Sequence, residues 1–474
     1  MVHHQKNRER AREGPRQEVA GAQRDTIAAV ATAVGRGALG IVRLSGPCAL
    51  EIAEQLAGPL PTPRSAVLRH FNDETGAAID QGLVLVFKAP HSFTGEDVVE
   101  LQGHGAPVVL AALVSAAIAH GARAARPGEF SERAYLNGRI DLAQAEAIAD
   151  LIDAASTQAA RAAQRSLDGE FSARVRALTE SLIALRVYVE GALDFSDEDI
   201  DWLGQGSLHA RIAQWLLDLD ALMQQAAQGR RLREGLTIAL TGRPNAGKST
   251  LLNRLAGSEA AIVSPTPGTT RDVLRENILL DSMPLTLVDT AGLRDSDDPI
   301  EREGVRRAKE AVHKAELVLF LADGRDVDAN GRLDAEDQIL LDAMPSGLPR
   351  LILLNKCDLT EQAPGSWQHA GEQGFRLSAA TGAGIESLLQ ALRQHCGLAD
   401  SHEGVFIARS RHLAALHSAR VAVGTAQARL QEGAHAELAA EELRRAQQAL
   451  DEITGPFAAD DLLGRVFSQF CIGK

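Results

Sequence analysis

GRPNAGKST, residues 242–250, stands between the apolar run LTIAL at 236–240 and the helix-like string TLLNRLAG at 250–257. It fits G-x-x-x-x-G-K-[ST] in the strand-to-helix setting that this pattern requires. Glycines at 242 and 247 let backbone amides turn inward on phosphate oxygens, Lys248 neutralises the β and γ phosphates, and the Ser249 hydroxyl is a Mg²⁺ ligand. A glycine-rich turn without ligand is the competing explanation, and the strings downstream decide against it. Asp289 opens DTAG at the end of LTLVD, where its carboxylate can hold the Mg²⁺ shell and the Gly292 amide can meet the γ phosphate. NKCD, residues 355–358, ends the run LILL. Asp358 there can accept two hydrogen bonds from N1–H and the exocyclic amine of guanine, a donor pair that adenine lacks. Asn355 braces the loop, the Lys356 stem covers the base, and the SAA at Ser378 offers a backbone amide to the guanine oxygen.

Together these strings predict a GTP site built from Asn245, Ala246, Gly247, Lys248, Ser249 and Thr250, from Asp289, Thr290, Ala291 and Gly292, from Asn355, Lys356 and Asp358, and from Ser378, Ala379 and Ala380. SPTPGTTRD would supply the switch loop, Ser264, Pro265, Thr266, Pro267, Gly268, Thr269 and Thr270, with Thr270 completing the Mg²⁺ shell. The place after DTAG, where a glutamine orients water in Ras-type enzymes, holds Leu293, whose side chain cannot do that work. Two compensations are visible. Asn245 can help coordinate a monovalent cation, and the acidic stretch RDSDDPIEREG can deliver a carboxylate.

The surroundings have their own pattern. From Asp25 to about 121, runs such as GIVRLSG, LVLVFKA and DVVELQGHG are separated by turns and followed by the helical PVVLAALVSAAIAHG, which reads as an α/β domain. GRGALG at 35–40 mimics a dinucleotide fingerprint but leads into a strand instead of a helix, so no such site is expected there. An alanine-rich helical stretch follows, with Leu142, Ala145, Ala149 and Ile152 on one face, up to about Arg233. Residues 236–396 alternate strand runs with helices, as a doubly wound parallel sheet does, and helices resume after Gly404. The expected division is a disordered leader at 1–24, an N-terminal α/β domain at 25–140, a helical domain in two parts at 141–234 and 398–474, and an inserted P-loop domain at 235–397.

Composition sets further bounds. Four scattered cysteines, Cys48, Cys357, Cys396 and Cys471, form no C-x-x-C pair, which argues against zinc or disulfides and for the cytoplasm. No apolar run is long enough to span a membrane, and the N-terminal stretch has no apolar core. A formal charge of -14 argues against broad affinity for nucleic acid. The closing FSQFCIGK is a poor prenylation signal, since Lys474 is outside the usual set. Leu462, Leu463, Val466, Phe467 and Phe470 have helical spacing, which puts Cys471 on a packed row.

With these strings assembled, the chain resembles the MnmE (TrmE) family of tRNA-modification GTPases from about Asp25 to Lys474. The resemblance is carried by GRGALGIVRLSGP, TGEDVVELQGHG, ARPGEFSERAYLN, DLAQAEAIADLIDA, the inserted P-loop domain, EITG and DDLLGRVFSQFCIGK. It implies an N-terminal folate-binding and dimerising domain, a discontinuous helical domain and a potassium-stimulated GTPase. It also implies a homodimer and a partner of the MnmG type that carries FAD, forming a heterotetramer or larger complex and acting on wobble uridine of tRNA. Position by position, K⁺ would be held by Asn245 with Ser264, Thr266 and Thr269, and Glu301 would orient the attacking water. Arg43, Glu100, Arg139 and Lys474 would bind 5-formyl- or methylene-tetrahydrofolate, the carboxylate facing the pterin and the cations facing the tail. Cys471 is implicated in the modification chemistry, with nucleophile, acid-base and positioning roles all open. Two other classes compete with this reading. A regulatory switch in ribosome assembly of the Era type would bind RNA without modifying it, yet residues 401–474 hold eight Lys/Arg against nine Asp/Glu and show no basic patch. A bare folate-binding protein would not need the nucleotide motifs.

Overall fold

The structure is a computed structural model that describes residues 25–194, 206–256, 275–280, 283–289, 315–327, 332–345, 347–369, 372–395, 405–431, 436–455, 460–468, 470 and 473. Two compact units divide the chain, one of residues 1–141 with 458–474 and the other of residues 142–457. The expected leader lies outside the described residues.

In the first unit, β1 (Ile27–Val30), β2 (Gly37–Ser45), β3 (Val67–Asn72), β4 (Ala78–Phe87), β5 (Val98–Gly105) and β6 (Arg123–Ala124) form one sheet in the order β3-β4-β5-β2-β1-β6. Only the β1–β6 pair is parallel. Alternation puts Val42, Leu44, Val99 and Leu101 on the face that α1 (Ala49–Ala57) and α2 (Pro107–Ala119) cover with Ile52, Leu56 and Leu113. Helix α3 (Glu129–Leu136) is tied to the sheet by charge. Arg123 bonds Glu129 and Asp25, each at 2.6 Å, and Arg133 reaches Asp25 at 2.8 Å and Glu96 at 3.1 Å. The Arg123 guanidinium, helped by Arg133 against partial burial, lowers the Asp25 carboxyl to about 2. The C-terminal helix Asp460–Ser468 packs here too, its Phe467 ring 6.3 Å from Tyr135 and 5.6 Å from Phe470. The stretch 398–474, expected as one helical part, contributes helices to both units, Asp460–Ser468 lying in the first, where its Phe467 meets Tyr135 of α3.

The second unit begins with α4 (Leu142–Ile152), α5 (Thr157–Leu167), α6 (Glu170–Asp194) and α7 (Gly206–Glu234). The sheet segment follows as β7 (Leu236–Thr241), α8 (Lys248–Ala256), β8 (Arg275–Leu280), β9 (Met283–Asp289), β10 (Leu317–Asp323), α9 (Ala335–Asp342), β11 (Arg350–Asn355), β12 (Gly365–His369), β13 (Glu372–Arg376) and α10 (Ile385–His395). Helices α11 (Ser410–Gln431) and α12 (Ala436–Thr454) complete the unit. The strand order is β12-β13-β11-β10-β7-β9-β8, parallel from β13 to β9, with β12 and β8 antiparallel at the two edges. The central strands are buried on both faces and read as unbroken apolar runs, as LVLFLA in β10 shows.

The helices share a core across the insertion. Phe171 of α6, Trp215 of α7, Leu416 of α11 and Leu443 of α12 are buried together with Phe406, which stacks on Phe171 at 4.8 Å. On α4 the buried stripe differs from the expected one. Leu142 and Ala145 are inside, but Ile152 is 49% exposed, and the acids Glu146 and Asp150 face inward. Partners from far along the chain make this possible. Arg411 bonds Glu146 twice, at 2.8 and 2.7 Å, and His412 Nε2 lies 2.9 Å from the same carboxylate. Burial opposes the charge on Glu146, yet His412 and Arg411 outweigh it and keep its carboxyl well below the usual range.

Helix α7 passes close to the returning chain at Gly229, where an added Cβ would lie 1.8 Å from the Phe406 carbonyl oxygen, a backbone atom that cannot swing away. Gly229→Ala is therefore expected to destabilise the second unit by about 1–3 kcal/mol through overpacking. Thermal or denaturant melting of the full chain measures this, and an unchanged midpoint would contradict the close approach.

Candidate nucleotide site

Four adjacent parallel strands, β11, β10, β7 and β9, end at one edge of the second sheet, and predicted nucleotide residues lie at the ends of β7, β9 and β11. Asp323 of β10 pairs with Asn355 of β11, and Leu240 of β7 pairs with Asp289 of β9. The loop after β7 wraps toward α8, with Asn245 exposed at φ 66, a left-handed conformation that asparagine tolerates. Lys248 is 9% exposed and turns back on its own loop, Nζ donating to the Gly242 carbonyl at 2.7 Å and to the Arg243 carbonyl at 2.9 Å. Ser249 and Thr250 are exposed in the first turn of α8. That helix start, with Ser249 at hand and Asp289 closing the neighbouring strand, suits a Mg²⁺-bound phosphate chain.

Asn355 is the brace. Its Nδ2 donates to the Ala246 carbonyl at 2.7 Å, and its Oδ1 accepts from the Ala379 amide at 2.9 Å, so one buried amide side chain joins the phosphate loop to the SAA loop. It fills the space beside Gly247, where a Cβ would fall 2.2 Å from Nδ2. The SAA loop is fixed in turn. Ser378 is fully buried and its amide donates to the Ala383 carbonyl at 2.8 Å, while Arg254 of α8 donates to the carbonyls of Ala379, at 3.1 Å, and Ala380. Lys356 has a left-handed φ of 66 and donates Nζ to Asp323 Oδ2 at 2.7 Å. Arg325, bonded to the same carboxylate, and then Lys356 hold the Asp323 carboxyl well below its ordinary range. Asp358 is exposed in the short 3-10 turn Cys357–Leu359, and Cys357 beneath it is buried. Burial, then the Asp358 charge, pushes the Cys357 thiol up.

Three contributors were not read from the sequence: Asp323, Arg254 and Arg243. Asp323 is the last residue of LVLFLAD, so strand register would have placed it beside Asn355. Arg254 gave no signal beyond its helix. Arg243 ties the phosphate loop to α9 through Asp334, with Asp326 at 3.5 Å and the buried Asp337 at 3.8 Å. Burial raises the Asp337 carboxyl to about 6 despite the Arg243 charge.

In the first unit, Arg43 and Glu100 are cross-strand partners on β2 and β5, joined by Nε and Nη2 to Oε1 at 3.0 and 2.9 Å. Glu100 is thus already engaged by a cation, and the Arg43 guanidinium lies 5.7 Å from the Phe130 ring centre. Gly473 reaches the neighbouring strand, since a Cβ there would lie 2.0 Å from the Val30 carbonyl oxygen, and Val30 pairs with Val42 next to Arg43. Arg139 is exposed, its stem about 3.2 Å from where Gly95 would carry a Cβ. Lys474, Cys471, Glu301, Thr290, Ala291, Gly292 and the switch residues Ser264, Pro265, Thr266, Pro267, Gly268, Thr269 and Thr270 lie outside the described residues, as does the Asp289 side chain. Among the described residues, no group of three or more His, Cys, Asp or Glu is arranged to hold a metal, and no helix is long and apolar enough to cross a membrane.

Comparison with known proteins gives the family. The profile of the MnmE helical domain matches residues 142–471, and that of the GTP-binding protein TrmE N-terminus matches residues 26–139. The tRNA modification GTPase MnmE of Nitrosococcus oceani is 53% identical over 450 residues, covering 95% of this chain and 97% of that protein. Among solved structures, an Era variant of Aquifex aeolicus bound to GDP and aluminium fluoride aligns with 40% of this chain and 66% of its own, at 23% identity and a TM-score of 0.28. The G domain of the T. maritima FeoB iron transporter aligns with 34% of this chain and 98% of its own, at 22% identity and a TM-score of 0.26. By identity along nearly its whole length, the chain belongs to the MnmE family of tRNA modification GTPases.

Proposed function

We propose that this GTPase is potassium-stimulated, acts as a cytoplasmic homodimer, and joins an FAD-dependent MnmG-type partner to modify tRNA. In this reading the complex uses 5-formyl- or methylene-tetrahydrofolate to add an aminomethyl or carboxymethylaminomethyl group at C5 of wobble uridine. The observation that carries the nucleotide part is the Asn355 bridge, which couples the phosphate loop to the loop that meets the base. Under the same proposal the chain works in the parts expected from its sequence, a folate-binding part at 25–140, helices at 141–234 and 398–474, and a G domain at 235–397.

Arriving phosphates would draw Lys248 away from the Gly242 and Arg243 carbonyls, exchanging two neutral acceptors for charged ones. Ser249 and Thr270 would hold Mg²⁺, and Asn245 with Ser264, Thr266 and Thr269 would hold K⁺. When bound, these cations supply positive charge against the γ phosphate, where an arginine finger acts in other GTPases. Glu301 would orient water in place of Leu293. At the folate end, Arg139 and Lys474 would meet the tail carboxylates, and Glu100 would share its oxygens between Arg43 and the pterin. Cys471 would act as nucleophile, acid-base group or positioning group.

Three measurements test this function. GTP turnover of the wild type should be at least about tenfold faster in potassium than in sodium, roughly 1.4 kcal/mol of barrier, while Asn245→Ala abolishes the difference and Glu301→Ala slows turnover in both salts. Equal wild-type rates in the two salts would sink the cation role. Asp358→Ala should weaken GDP binding about 10- to 100-fold, as expected for a lost hydrogen-bonding carboxylate, without changing ATP binding. Calorimetry reads both, and unaltered GDP affinity would move the base elsewhere. Mass spectrometry of tRNA nucleosides from a deletion strain should show loss of the modified wobble uridine, restored by the wild-type gene but not by Cys471→Ser. Intact tRNA with defective ribosomal subunits would instead favour the assembly switch.

A further inference from the structure

The chain crosses between the helices and the sheet of the second unit twice, at Glu234–Leu236 between α7 and β7, and on its return through Val405–Arg409 ahead of α11. One carboxylate on α4 holds both crossings. Asp150 Oδ1 accepts from Arg233 Nε at 2.6 Å and from Arg409 Nη2 at 2.7 Å, and its Oδ2 accepts from Arg409 Nε at 3.4 Å. The Asp150 and Arg409 side chains are 4% and 10% exposed, whereas that of Arg233 is 31% exposed. One leg is therefore sealed and the other borders solvent.

The sealed leg is reinforced. Ser166 Oγ of α5 accepts from the Ile407 amide at 2.9 Å and lies 3.1 Å from its carbonyl, and Arg165 donates to the Val405 carbonyl at 3.2 Å. The Arg233 leg has room and an alternative. A cleft of about 200 Å³ adjoins it, lined in part by Asp153, Ala159 and Glu234, and Arg233 Nη1 already reaches Glu234 Oε1 at 3.2 Å. Glu234 in turn lies 3.4 Å from the Ser410 hydroxyl on the returning side. A guanidinium with two acceptors and open space beside it can change partners without breaching the close-packed core, which resists continuous deformation.

We propose that Asp150 is a positioning residue that passes sheet movement during the nucleotide cycle to the helices, Arg409 staying on it while Arg233 exchanges between Asp150 and Glu234. The inference rests on the GTPase function assigned above. It gives the two arginines different roles, one as a fixed attachment and the other as the moving contact.

Hydrogen exchange of the full chain, compared by mass spectrometry with GDP and with a non-hydrolysable GTP analogue in Mg²⁺ and potassium, tests it. In the wild type, exchange of peptides spanning α4 and 405–412 should differ between the two nucleotides by about fivefold or more, the low end of typical coupling energies. Asp150→Asn should erase that difference while GTP turnover stays within about twofold of wild type, which a general loss of structure would not do. The same nucleotide difference persisting in Asp150→Asn, or no difference in the wild type, would overturn the proposal. If Asp150→Asn does not fold, Arg233→Gln removes only the exposed leg and is judged by the same two outcomes. Wild-type peptides covering 242–250 separate the failures. No protection there with either nucleotide contradicts the GTP site itself, while protection there without change at α4 contradicts the Asp150 coupling alone.

Discussion

The amide of Asn355 is the contact on which the nucleotide site depends. The phosphate loop and the SAA loop follow different strands of one sheet, and a link between the loops themselves holds their spacing. This side chain does so with one donor and one acceptor, each bonded to backbone and shielded from water. Its burial makes the arrangement strict, because losing either bond would leave a polar group unsatisfied at a cost of about 1–3 kcal/mol. The glycine at 247 follows from this, since the amide occupies the volume that any larger side chain would take. The motif is thus a packing solution as well as a chemical one.

Much of this was legible because parallel strands hide nothing from a pattern search. β7, β10 and β11 appear as continuous apolar runs, and a polar string at the end of each marks the edge where they align. The edge strands β8 and β12 were not read, since each pairs antiparallel with a neighbour across a short connection and has a weaker apolar run. Glu146 and Asp150 were illegible for another reason. An amphipathic count assigns acids to the solvent face, and only partners far along the chain, Arg233, Arg409 and Arg411, reverse that assignment. Periodicity contains no information about such partners.

The first unit shows the same limit. The family resemblance implies ligand-facing charges at Arg43 and Glu100, and the sheet register sets them opposite each other, where they bond to one another. Opposite charges on adjacent strands stabilise a sheet modestly without any ligand. Gly473 approaches β1, the strand that pairs with β2 at Arg43. Neither fact is visible in the linear order, where more than 370 residues separate Glu100 from that glycine.

The inward fold of Lys248 has a consequence for the loop itself. Its ammonium bonds the Gly242 and Arg243 carbonyls near the start of the loop that it ends. Side chain and backbone therefore form one closed unit, and any shift of the chain at 242–243 would carry the charge with it.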